Sequence, residues 1–79
     1  MNRQDPRYEK LQSLLKDMRN RQGIKQQELA EKLGRPQSYV SKYESGDRNI
    51  DLIELIELAK SLDLEPVTAI SGLVRCLTE

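Results

Sequence analysis

Apolar residues recur along this chain at intervals of three and four, and the breaks between stripes fall on glycine or proline. Tyr8, Leu11, Leu14, Leu15 and Met18 share one helical face. Asp5-Pro6 suits the start of that segment: a carboxylate can accept the free N–H groups of the first turn, and proline has none to satisfy. The spacing predicts a first helix over 6–21, ended by Gly23, with Ile24 folding back on the last turn and Arg19 one position past the stripe. Leu29, Ala30 and Leu33 predict a second helix over 26–33, ended by Gly34. Pro36 opens a third helix that runs to Ser45 and stops at Gly46.

The third segment divides its residues sharply. Val40, Tyr43 and Glu44 fall on one side, and Gln37, Ser38, Ser41, Lys42 and Ser45 on the other. A short helix, a tight turn and a second helix with a polar outer face is the pattern of a helix-turn-helix. Downstream, Asp51-Leu52-Ile53-Glu54 forms a capping box, with Ile50 and Leu55 placed for a hydrophobic staple. That fourth helix is expected to reach about Leu62, with Leu52, Leu55, Ile56, Ala59 and Leu62 inside and Glu54 and Glu57 outside. Asp63-Leu64-Glu65-Pro66 interrupts it, and a fifth helix follows over about 66–77. Its stripe of Val67, Ile70, Leu73, Val74 and Leu77 is nearly heptad, which suits both core packing and a dimer seam. Val67 and Ile70 are expected to face inward; Ile70, Leu73, Val74 and Leu77 are the candidate dimer interface. With no repeat, low-complexity tract or linker, residues 1–79 are expected to form one all-α domain of five helices.

Composition supports this class. Apolar residues make up 37% and aromatics 4%, with no Trp or Phe, so the core must be built from Leu, Ile, Val and Ala, which favours packed helices. A 79-residue core is modest, and oligomerisation would help it. No apolar run is long enough for a membrane span or a signal peptide, so a cytoplasmic protein without a membrane partner is expected. Cys76 has no second cysteine to pair with and reads as a small apolar residue of the last helix. Histidine is absent, so neither a zinc site nor a His-based triad can be assembled, and no Gly-rich phosphate loop occurs. No enzyme, metal or cofactor is expected. The net charge of zero conceals an asymmetry: residues 1–48 hold eleven Lys/Arg against seven Asp/Glu, and residues 49–79 hold two against six. The positive half contains the helix-turn-helix, and local field rather than total charge governs attraction to phosphate.

The stretch from Leu15 to Leu64 resembles the Cro/C1-type (lambda-repressor-like, XRE) helix-turn-helix family. The resemblance is carried by Arg19, Gly23, Gln26, Glu28-Leu29-Ala30, Leu33-Gly34, Ser38, Val40-Ser41-Lys42, Glu44, Gly46 and the Leu52/Leu55/Leu58 pattern with Ala59. It implies a five-helix DNA-binding domain whose third helix enters the major groove of double-stranded DNA, usually from a two-fold homodimer. By position, Gln37, Ser38 and Lys42 would contact bases. A glutamine amide suits the N6 and N7 edge of adenine, and in the phage repressors of this family Gln37's counterpart meets that of Gln26. Gln26, Lys25, Arg35, Tyr39, Ser41 and Arg48 would contact the sugar-phosphate backbone, and Arg19 and Glu44 would form a structural ion pair. Lys25 stands where the family prefers Ser or Thr, and Arg35 where it prefers an apolar residue; both add positive charge.

Two functions compete on this reading. The first is a prokaryotic or phage transcriptional regulator, a repressor on a two-fold operator. The second is a protein-binding module, such as an antitoxin or adaptor, that uses the acidic second half and the apolar fifth helix to mask a partner protein.

Overall fold

The computed structural model describes residues 5–79. Five helices account for most of them: α1 (Pro6–Arg21), α2 (Gln26–Leu33), α3 (Gln37–Ser45), α4 (Leu52–Ser61) and α5 (Pro66–Thr78). The described residues contain no strand. The all-α class and the order of elements are as the periodicity predicts, with shifts of one residue at three ends, one of them α5, which reaches Thr78. Pro36 precedes α3 in extended conformation (φ −64°, ψ 153°), and Leu62 follows the last turn of α4.

Local chemistry accounts for the boundaries. Asp5 accepts the Arg7 backbone N–H at 2.9 Å to start α1. Asp51 and Glu54 complete a reciprocal capping box at α4: the Glu54 N–H donates to Asp51 Oδ1 (2.8 Å) and the Asp51 N–H to Glu54 Oε1 (3.0 Å). Glu65 caps α5 by accepting from the backbone N–H of Val67 and Thr68 (3.0 and 2.9 Å). Gly34 closes α2 at φ 67°, and the next N–H, from Arg35, returns to the Ala30 carbonyl at 2.9 Å. Where the chain leaves α4 no glycine is available, and Asp63 itself takes the left-handed conformation (φ 59°).

The core lies where α1, α2, α3, α4 and α5 converge. Leu15, Leu29, Val40, Tyr43, Leu58 and Leu62 are fully buried within it, with Ala30, Ala59 and Leu73 nearly so. The helix-turn-helix pair α2–α3 packs on α1 and α4, and α5 packs across α1 and α4. No described helix is long and apolar enough to cross a membrane.

Two predicted faces are corrected. On α4, Leu52 is 59% exposed, whereas Glu54 is buried and Leu58 is wholly enclosed. The inward stripe is therefore Glu54, Leu58 and Leu62 with Ala59 beside it, turned away from Leu52 because Glu54 finds polar partners inside. On α5, Val67 is 71% exposed rather than inward, and Leu73 belongs to the core of its own chain. A helix lying across both α1 and α4 points its Leu73 side down, which leaves Val67 and Val74 outside.

Candidate nucleic-acid interface

Helix α3 has the division read from its sequence. Val40 and Tyr43 anchor it in the core, while Gln37, Ser38 and Lys42 are exposed and Ser41 is half-buried. Ser38 and Lys42, one turn apart, share a face, with Gln37 at its N-terminal end. Such a face presents an amide, a hydroxyl and an ammonium, the donors and acceptors used to read base edges.

The orientation of that face is held by a buried ionic cluster. Arg19 of α1 makes a two-pronged pair with Glu44 of α3: Nε to Oε2 at 2.8 Å and Nη2 to Oε1 at 3.0 Å. Both side chains are almost wholly buried. Arg19 Nη1 also donates to the Ile24 carbonyl (2.8 Å), tying in the α1–α2 turn. The Glu44 bond holds the Arg19 guanidinium above its usual range, against the opposing effect of burial. Gln26 donates its amide N–H to Glu44 Oε1 (3.0 Å), an internal partner, where the resemblance implied a meeting with Gln37. A charge pair this deep gains little net stability but specifies one geometry, because every alternative leaves a charge unpaired.

A second cluster surrounds Tyr39. The residue is 9% exposed, and its hydroxyl donates to Glu54 Oε2 at 2.8 Å. This corrects the expectation that Tyr39 reaches outward to DNA. The same carboxylate pairs with Arg48 Nη2 (2.8 Å) and accepts the Asp51 N–H. Burial alone would raise the Glu54 pKa, but Arg48, the Asp51 N–H and the Tyr39 hydroxyl together bring it down to about 2. Burial, followed by the bond to Glu54, pushes the Tyr39 phenol up to about 12. The guanidinium carbons of Arg35 and Arg48 each lie 4.7 Å from the Tyr39 ring centroid. Nothing local in the sequence signals this convergence of residues 35, 39, 48 and 54. Only the capping box at Glu54 was legible.

Helix starts differ around the interface. Side-chain carboxylates cap α1, α4 and α5, whereas Lys25 and Pro36, at the starts of α2 and α3, provide no side-chain cap. Free N–H groups and the positive dipole end of a helix favour an anion. Lys25 and Arg35, both exposed, lie beside these two starts.

Comparison with known proteins decides the family. A helix-turn-helix family model matches residues 15–68, more than half of the chain. The chain belongs to the Cro/C1-type (XRE) helix-turn-helix family. Among solved structures it is similar to an XRE-family like protein from Pseudomonas syringae pv. tomato str. DC3000. The two share 40% identity over 92% of this chain and 89% of the other, with a TM-score of 0.82. No curated protein matches. The XRE family is one of DNA-binding regulators and is generally non-enzymatic.

Proposed function

We propose that this XRE-family chain is a sequence-specific transcriptional repressor, acting in a prokaryotic cytoplasm as a homodimer on a two-fold operator. The observation that carries the reading is the α3 surface: Gln37, Ser38 and Lys42 stand exposed on a helix locked from behind by Arg19 and Glu44. Helix α3 enters the major groove and these three side chains read bases. Lys25, Gln26, Arg35, Ser41 and Arg48 face the backbone, where contacts fix register and supply affinity without choosing sequence.

A homodimer would set two α3 helices about 34 Å apart, one helical turn of DNA. Support for self-association comes from α5. Val67 and Val74 are exposed and Ile70 and Leu77 half-buried, and their spacing of three, four and three makes a seam of coiled-coil type. Leu73, in the core, drops out of that seam. The exposed Leu52 and Ile53 at the start of α4 favour a second reading, in which a partner protein docks there.

Replacing Gln37 separates the readings. Gln37→Ala is expected to relax base preference at one position of each half-site, costing about 1–3 kcal/mol there. Binding to panels of single-base operator variants measures it. Unchanged preference would make Gln37 a solvated residue and favour the protein-binding reading.

A further inference from the structure

The segments on either side of α3 meet at the Tyr39 ring. Arg35 comes from the α2–α3 turn and Arg48 from the α3–α4 loop, and the guanidinium carbon of each lies 4.7 Å from the ring centroid. The two cationic groups are thus at most twice that distance apart, in spite of their common charge. The Tyr39 ring is fixed on several sides. Its hydroxyl is bonded to Glu54, and the Tyr43 ring meets it edge-on at 5.7 Å and 74°. Arg48 is further held by Glu54 and by the Asn49 carbonyl (Nη1 donating, 3.1 Å). Arg35 starts from a fixed point, since its own N–H closes α2 on Ala30.

We propose that Tyr39 is a positioning residue for a two-arginine phosphate clamp, in which its ring holds Arg35 and Arg48 ready for a DNA backbone phosphodiester beside α3. This rests on the DNA-binding reading and adds to it a division of labour: the arginines touch phosphate, the tyrosine orders the arginines, and Glu54 orders the tyrosine and Arg48. Arginine suits both halves of the task. Its planar fork presents parallel N–H groups to phosphate oxygens, and its flat face stacks on an aromatic ring. A guanidinium already held against a ring loses less freedom when the phosphate arrives. Glu54 balances one of the two positive charges, so they can be held close together without mutual repulsion distorting the turn.

The test is the salt dependence of binding to a mixed-sequence DNA duplex. It compares the parent, Arg35→Ala, Tyr39→Leu, Tyr39→Phe and the Arg35→Ala/Tyr39→Leu double variant, each checked for helicity and melting. Each lost phosphate contact lowers the slope of log K against log salt by about 0.9. Arg35→Ala is expected to lower it by about that amount. Tyr39→Leu should do so as well although it removes no charge, Tyr39→Phe should restore the slope, and Arg35→Ala should add nothing once Leu is present. A folded Tyr39→Leu protein with the parent slope, or effects of residues 35 and 39 that simply add, would overturn the clamp while leaving DNA binding intact. If Tyr39→Leu does not fold, Arg35→Lys replaces it, keeping the charge but losing the flat stack. Several-fold weaker binding supports the clamp, and parent affinity overturns it. A parent protein with no duplex affinity at low salt overturns the DNA reading and the clamp together.

Discussion

Glu54 accepts from three donors on three segments: the Asp51 N–H, the Tyr39 hydroxyl and the Arg48 guanidinium. Its folded pKa of about 2, against an ordinary value of 4.5, makes it a source of acid sensitivity. A carboxylate depressed on folding contributes stability that is complete above its unfolded pKa and is lost as pH falls through the folded one. The contribution of Glu54 should therefore decline between pH 4.5 and about 2, and a Glu54→Gln variant should show a shallower loss of stability there in acid denaturation followed by circular dichroism. Glu44 behaves differently on removal. Glu44→Ala leaves Arg19 buried without its partner, and a loss on the order of 3–5 kcal/mol is expected, with DNA binding failing in step. Chemical denaturation measures the first effect, and a melting curve like the parent's would mean that the pair does not act as a buried one. Tyr43 is the opposite case. Its hydroxyl is buried with no hydrogen-bond partner among the described residues, and that burial pushes the phenol pKa well above its usual range. Tyr43→Phe should leave the melting temperature unchanged or raise it, since an unpaired buried hydroxyl stabilises nothing.

At the scale of elements, helix ends were legible and helix faces less so. Caps depend on neighbours in sequence, and the Asp5 and Asp51 caps and the Gly34 stop can each be read from a few adjacent residues. The inward face of α4 depends on what waits inside. Tyr39 and Arg48 turn a glutamate into a core residue and rotate Leu52 out, and both lie outside α4, in the preceding helix and loop. Likewise the five apolar positions of α5 cannot all face one way, and the positions of α1 and α4 decide that Leu73 goes in. The two readings of α4 differ measurably: Leu58→Ala should cost about 2–5 kcal/mol by leaving a cavity, whereas Leu52→Ala should stay within about 0.5 kcal/mol of the parent. Of the interface, the exposed Gln37, Ser38 and Lys42 were readable from helical period alone. The Arg19–Glu44 pair, 25 residues apart, came from the family resemblance.

On the scale of the whole molecule, parts of the chain have separate roles. Residues 1–48 hold the positive excess, the recognition surface and the uncapped starts of α2 and α3; residues 49–79 hold the negative excess and the exposed apolar stripe of α5. In the proposed assembly the first half meets DNA and α5 meets a second copy. The measurement that tests this most directly is selection of bound sequences from a random DNA duplex pool at fixed moderate salt, with sedimentation of the free protein alongside. The expected result is an enriched palindrome with half-sites one helical turn apart, together with a dimer. A monomer that enriches no motif would contradict the proposed assembly and shift the α4 and α5 surfaces to the binding of another protein.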